Sequence, residues 1–426
     1  MSVHGGWESP YGVLIEVNPE RILVFDRYLG RPLCAALSAF DWLRRGGAAP
    51  RKTKPRRILF IKLVEMGSTV LACPAFAEAV RMVGRENVFI LVFSENRAIV
   101  DVLPFFRPEN VLTVEHDSFA IFARDMRRTL ARIRAEKIDT AIDLEGLTRA
   151  SAAITYLTGA VNRVGYYNFT SEGPFRGRLF THELNYGFHH HVAKTFLGMV
   201  RSLEAPPNGV PLLKLRIDES DLALPAFVPS EAETETMTRL LAPIRPPSGA
   251  AGPLVLMNPN CSDLLPLRRW PDQSFIELAH RFLKEVPGCS IAITGAKAEV
   301  KGAEALAAAI GRPAQCMSVA GRTTFRELLA LYCQSQLLIS NDSGPCHFAC
   351  LTPVGIVSLF GPETPTLYAP LGSRAVSISA RLSCSPCVSL LNHRFSPCQE
   401  NLCMSAITVD EVFAQSQQLL VRLASR

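Results

Sequence analysis

A chain of 426 residues, 48% hydrophobic and 20% charged, is too long for one ordinary core and suits two domains of roughly 150 to 200 residues each. Its net charge of +6 is modest for this length and no basic stripe interleaved with aromatics occurs, which argues against nucleic acid and for anionic small molecules or a membrane surface. No run of ~18 uncharged apolar residues is present, so no helix is expected to span a bilayer. The opening MSVHGGWESPYGVLIEVNPERILVFDR has early charges and no continuous apolar stretch, so no signal peptide is expected and the chain reads as cytosolic.

Residues 27 to 45, RYLGRPLCAALSAFDWLRR, put Leu33, Ala36, Leu37, Phe40 and Leu43 at helical spacing. A Gly/Pro linker follows, with Arg51, Lys52, Lys54, Arg56 and Arg57 close after Arg45. Two readings stand: a helix docked on the protein's own surface with a solvated basic linker, or an interfacial anchor whose cations meet an anionic membrane surface. Residues 1–54 form this N-terminal extension.

From Ile58 the pattern alternates strand and helix: ILFIKL, VLACPAFAEAVRMV, VFILVFS, a helix in FAIFARDMRRTLARIRAEK, and a strand in IDTAIDLEG. Apolar strand runs between helices predict a parallel sheet covered on both faces. Pro-rich segments between Glu204 and Gly252 mark an interdomain connection with one short helix near EAETETMTRLLA. A second alternation then runs LVLMNPN, DQSFIELAHRFLKEV, SIAITGA, AEALAAAIG, FRELLALYCQ, QLLISND and VGIVSLFGP. The expected fold is therefore α/β, with an N-terminal Rossmann-like domain over 55–215, a linker over 216–252, and a C-terminal Rossmann-like domain over 253–426. Ligands in such sheets bind at the carboxyl ends of strands.

LISNDSGPCHFACL ends a strand with Asn341 and Asp342, turns through Ser343, Gly344 and Pro345, and opens a helix carrying His347. Free N–H groups and the positive end of a helix dipole suit a diphosphate there, and a turn capped by Asp342 is the alternative. SLFGPETP ends the next strand, and PLRRWP brings Arg268 and Arg269 after LVLMNPN.

A leading strand with a K-L-x-x-x-G loop, IDLEGLTRA, NRVGYY, RRWP, ISNDSGPCHFA, SLFGPETP and a cysteine-rich tail occur in the order that resembles glycosyltransferase family 9, the heptosyltransferase family, over roughly residues 55 to 420. The resemblance implies a GT-B fold of two Rossmann-like parallel-sheet domains facing a cleft, acceptor on the first and nucleotide-sugar donor on the second. It implies ADP-heptose as donor, a lipopolysaccharide-type or other cell-envelope glycan as acceptor, and inversion at the anomeric carbon. By match to the family, Asp342, Ser343, Gly344 and His347 line the nucleotide diphosphate, with Gly361 and Pro362 nearby; Asn260, Ser262 and Arg268 or Arg269 join the donor site. Glu299 sits where the family holds the ribose, or is an ordinary helix-start residue. The chain contains no Asp-x-Asp, the usual pair of oxygen ligands for a divalent ion on the diphosphate, so a metal-independent reaction is expected, and the N-terminal helix is expected to hold the chain at the inner face of the cytoplasmic membrane.

One departure concerns the base. Where the family's loop has Gly-Asp this chain has Gly67-Ser68, and a serine hydroxyl holds its proton far above neutral pH. Glu65, three residues earlier, is a displaced-base candidate, Ser68 a helix-cap candidate, and Asp143 either faces the acceptor or caps a turn. The alternative is a catalytically inactive nucleotide-sugar-binding or regulatory protein on the same scaffold, and a third reading is a GT-B epimerase. His189, His190 and His191 are consecutive, so their side chains diverge and read as helix-start polar residues. Cys384, Cys387, Cys398 and Cys403 have spacing compatible with structural zinc, with disulfides or packed thiols as alternatives.

Overall fold

The computed structural model describes residues 26, 28–48, 53–146, 148–167, 175–205, 213–245, 252–261, 265–392 and 394–425. Ser262, Arg51, Lys52 and the first 25 residues lie outside them. By packing, the chain divides into two compact units, one taking in the chain up to Val64 with Val83–Arg97 and Phe106–Leu184, the other Glu65–Met82, Ala98–Phe105 and Asn185–Arg426. The loop that carries Glu65 and the helices after it thus pack with the second unit, although the sequence pattern groups them with the first.

Each unit holds a six-stranded parallel sheet. The first comprises β1 (Ile58–Ile61), β2 (Val88–Phe93), β3 (Val111–Val114), β4 (Thr140–Asp143), β5 (Asn162–Tyr166) and β6 (His182–Leu184), in the order β3-β2-β1-β4-β5-β6. The second comprises β7 (Leu254–Asn258), β8 (Ser290–Ile293), β9 (Cys316–Ser318), β10 (Leu337–Asn341), β11 (Gly355–Phe360) and β12 (Ala375–Ser379), in the order β12-β11-β10-β7-β8-β9. Counted within each sheet, both orders are the doubly wound 3-2-1-4-5-6, whose direction reverses beside the first strand and creates a crevice at the strand ends. In the first sheet β1 pairs with β4, Ile61 opposite Asp143; in the second β7 pairs with β10, Asn258 opposite Ser340.

Central strands are buried on both faces because helices cover both, which is why β1, β2 and β7 are continuous apolar runs. In the second unit Trp270, Phe275, Phe282 and Phe413 fill the space between that sheet and its helices. The helix Glu231–Leu241 forms in the Pro-rich connection and is fixed by a capping box between Ser230 and Glu233.

The N-terminal helix forms as Gly30–Arg44, but it is turned differently from what its periodicity suggests. Its buried positions are Gly30, Cys34 and Asp41, with Leu37 half-buried. A methyl group at Gly30 would lie 2.8 Å from Arg149, so the glycine lets the helix dock closely. Asp41 accepts from Arg45 Nε at 2.9 Å and lies 3.8 Å from Arg163. Leu33, Phe40, Trp42 and Leu43 are left 47 to 68% exposed. No described helix is long and apolar enough to cross a membrane.

Candidate active site

In the second unit the loops after β7 and β10 are stitched together at the switch point. Asn341, fully buried, donates to Pro259 O at 2.8 Å and accepts from Trp270 N at 3.0 Å. Asn260 donates to Thr294 O at 3.3 Å, which joins β8 to the same cluster. The one-residue Trp270 anchor, whose indole N–H reaches Ile407 O at 3.0 Å, orients the two preceding arginines. Arg268 turns inward and Arg269 is exposed.

Arg268 Nε lies 3.2 Å from Asp342 Oδ2, and its Nη2 lies 3.7 Å from Glu363 Oε2. The contacts lack hydrogen-bond alignment: Arg268 Nε, Asp342 Oδ2 and Glu363 Oε2 are buried with no hydrogen-bond partner among the described residues, as is His347 Nδ1. Burial raises the Asp342 carboxyl above the usual carboxylate range, against the pull of Arg268. Burial, with His191 and Arg268 nearby, holds His347 down at about 3, so its ring is neutral. Four orphaned polar atoms in one buried cluster are an exception that asks for a ligand, since buried polar groups are ordinarily paired.

Ser343 occupies the cap position of the Gly344–Ala349 helix, but its hydroxyl donates to Asn341 O at 3.1 Å and caps nothing; Asp342 is not the cap either. Glu299 is half-buried and accepts from Ala296 N at 2.6 Å, the helix-start arrangement. Gly361 and Pro362 are turned toward the cysteine-rich tail: Pro362 O accepts from Cys387 N at 2.9 Å and Val388 N at 3.0 Å, and a methyl group at Gly361 would meet Met404 Sδ at 2.4 Å. Glu363, the next residue, is the one that points at Arg268, and the sequence reading passed over it.

The loop after β1 belongs to this unit from Glu65 onward. Glu65 has φ 66°, a left-handed conformation costly for a side chain other than glycine, and such strain concentrates at functional sites. Its carboxylate accepts from Ser68 Oγ at 3.1 Å and from Arg394 Nη1. Ser68 also donates to Glu65 O at 3.0 Å. Ser68 is therefore a holder of Glu65 and caps no N–H of the Met66–Leu71 helix, which corrects the capping role expected for it. Gly67 permits close approach: a methyl group there would lie 2.7 Å from His347 Cδ2 and 3.2 Å from Gly344 Cα. The loop that carries Glu65 thus rests directly on the loop that carries Asp342 and His347.

Asp143 sits at the end of β4 in the first unit and has no free oxygen. It accepts from Glu145 N at 3.0 Å, Ser151 Oγ at 2.9 Å and Arg176. Beside it Lys62, also buried, donates to Val64 O at 2.5 Å and to Glu145 Oε1 at 3.3 Å, while Val64 N donates to the same oxygen at 3.0 Å. Of this network sequence reasoning named only Asp143; Lys62 and Glu145 were missed, although they stand in the K-L-x-x-x-G and IDLEGLTRA motifs.

His191 is the cap of the Val192–Arg201 helix, accepting from Ala193 N at 3.2 Å, as expected of a helix-start residue. Among the described residues no group of three or more His, Cys, Asp and Glu could hold a metal ion. Cys384, Cys387, Cys398 and Cys403 form no disulfide and lie near enough for the other three, after burial, to raise the Cys403 thiol, but they are not arranged as a group that could hold a metal ion, so the zinc expectation is not met.

Two doubly wound sheets with a polar cluster at a switch point define a GT-B-type protein. The description of glycosyltransferase family 9 (heptosyltransferase) matches residues 126–394, and the chain belongs to that family. It is similar to lipooligosaccharide heptosyltransferase 2 of Haemophilus ducreyi, 31% identical over 117 residues, a match spanning 26% of this chain and only 33% of that protein. It is 21% identical over 393 residues to lipopolysaccharide heptosyltransferase 1 of Pseudomonas aeruginosa, covering 86% of this chain and 98% of that one. Its fold is that of the Escherichia coli ADP-heptose lipopolysaccharide heptosyltransferase II structure, with TM-score 0.65 and 17% identity over 86% of this chain and 99% of that one. The E. coli heptosyltransferase WaaC with ADP gives TM-score 0.58 at 17% identity, covering 85% of this chain and 99% of that one.

Proposed function

We propose that this chain is an inverting glycosyltransferase that moves a heptose-like sugar from a nucleotide-diphosphate donor to a lipopolysaccharide-type or other cell-envelope acceptor, without a metal ion on the diphosphate. The observation that carries this reading is the Arg268 cluster, whose orphaned buried groups lie at the switch point of the second sheet. Arg268 supplies the charge that stabilises the departing diphosphate. Asp342, Ser343, Gly344 and His347 frame it, Asn260 lies on the loop after β7 with Ser262 following it in sequence, and Glu299 stands at a helix start, its carboxylate and the Asn260 amide both close to Gly295. The relatives named above are heptosyltransferases, and one similar structure carries ADP, which supports an ADP-type donor.

Glu65 is the base in this reading. Ser68 and Arg394 hold its carboxylate in one orientation, where it would accept the acceptor hydroxyl's proton. Glu65→Gln should cut turnover by ~100-fold or more while leaving donor binding intact. Restoring a carboxylate one turn away, in Glu65→Gln with Ser68→Asp, should recover part of it. Unchanged turnover in Glu65→Gln removes Glu65 from the mechanism. That both Glu65 oxygens are already engaged favours a second reading, a nucleotide-sugar-binding protein without turnover; a wild-type chain that binds donor and transfers to no acceptor would establish it.

The Gly30–Arg44 helix is assigned to an anionic membrane surface. Its large apolar side chains are exposed together with Arg31 and Arg44, and Lys54 and Arg56, which follow in the sequence, are exposed as well. Each basic residue near such a surface contributes ~1 kcal/mol. Leu33→Ser with Phe40→Ser should release the protein from anionic vesicles and leave it folded; unchanged sedimentation with vesicles refutes the assignment.

A further inference from the structure

Glu363 has no role in the reading above, yet it is 2% exposed, and its Oε2 faces the guanidinium that the diphosphate needs. Its own loop satisfies Oε1, which accepts from Thr364 N at 3.1 Å. The charged and titratable groups around it are Arg268 on the loop after β7, Asp342 after β10, and Tyr186, whose phenol is raised partly by Glu363. His347, beside Arg268, is neutral. With every carboxyl ionised the cluster would hold two negative charges against one positive, in a place where a further anion must bind. Such an excess of buried charge is relieved by protonation.

We infer that Glu363 binds the donor as a neutral acid, giving its proton in a hydrogen bond to a diphosphate oxygen beside Arg268, so that a nucleotide diphosphate binds together with one proton. This rests on the assignment of the diphosphate to the Arg268 cluster. Burial first, then Asp342, push the Glu363 carboxyl up to about 8 in the free protein. Above that pH the free protein has lost a proton that the complex retains. Affinity therefore falls as pH rises, by up to ~10-fold per unit.

Calorimetric titration of the full chain with ADP, GDP, UDP and dTDP tests this at pH 7.5, 8.5 and 9.5, in buffers of two ionisation heats. For the tightest binder, proton uptake should approach one at pH 9.5 and the dissociation constant should rise ~10-fold or more between pH 7.5 and 9.5. Glu363→Gln, which cannot titrate, should lose both the proton uptake and the pH slope, whatever its affinity at pH 7.5. The proton count is made on wild type and needs no folded variant. Binding with no proton uptake and a flat profile, or a slope kept by Glu363→Gln, overturns the inference alone. If no nucleotide diphosphate binds at any pH, the diphosphate assignment falls with it.

Discussion

The two sheets share one strand order, and their switch points treat buried charge in opposite ways. Beside β1 and β4, Lys62 and Asp143 are surrounded by partners: Glu145, Val64 O, Ser151 and Arg176 satisfy them. Beside β7 and β10, Arg268, Asp342, Glu363 and His347 each keep a buried atom with no hydrogen-bond partner among the described residues. The same topology thus carries a closed network in one unit and an open one in the other. A closed network rigidifies its loops, and an open one is poised for a ligand.

The sharpest way to break this contrast is Arg268→Ala. It leaves two buried carboxyls without their cation, which should cost ~3–5 kcal/mol of stability, and it should weaken nucleotide-diphosphate binding by about 30-fold or more. Arg269→Ala, at an exposed position, should leave both near wild type. Chemical denaturation and calorimetry read the two effects separately. Equal effects from both arginines would dissolve the distinction between the inward and the outward side chain.

Lys62→Ala probes the closed network. Glu145 would remain buried beside Val64 N without its ammonium, again a loss of ~3–5 kcal/mol. Nucleotide affinity, measured on the folded fraction, should not change, because the network ends in protein groups. A variant that loses donor affinity without losing stability would show that the first switch point also serves the ligand.

Much of this was legible in the sequence. Strands β1, β2, β4, β7, β8, β10 and β11 stand out because burial on both faces forces apolar runs, and they are the inner strands but for β5. The edge strands β3, β6, β9 and β12 were not read, since short edges such as His182–Leu184 mix polar residues and carry no period. Asp342 and His347 were readable as polar residues just past a buried strand. Which of Arg268 and Arg269 turns inward was not, because that depends on the anchoring of Trp270 against Ile407. Glu363 was hidden behind Gly361 and Pro362, whose turn chemistry drew attention while their contacts go to the tail. Arg394 reaches Glu65 across 329 residues of sequence, a pairing no local pattern encodes.

The smallest expected effect is that of Ser68→Ala, and it separates two meanings of one hydroxyl. As a cap, Ser68 would accept from a helix N–H, and its loss would lower stability by ~1 kcal/mol with turnover untouched. In the structure it instead donates to Glu65, to the backbone oxygen at 3.0 Å and to the carboxylate at 3.1 Å. Removing it should cost a similar ~1 kcal/mol, the net worth of an ordinary hydrogen bond, so stability alone cannot distinguish the roles. Turnover can. Freed of Ser68, the Glu65 carboxylate loses one of the groups that orient it while Arg394 stays, so it should spend less time aimed at the acceptor, and turnover should fall by a few-fold with donor affinity unchanged. Ser68→Thr, which keeps a donor hydroxyl, should restore most of that loss. If Ser68→Ala loses stability and keeps full turnover, Ser68 has no part in positioning Glu65.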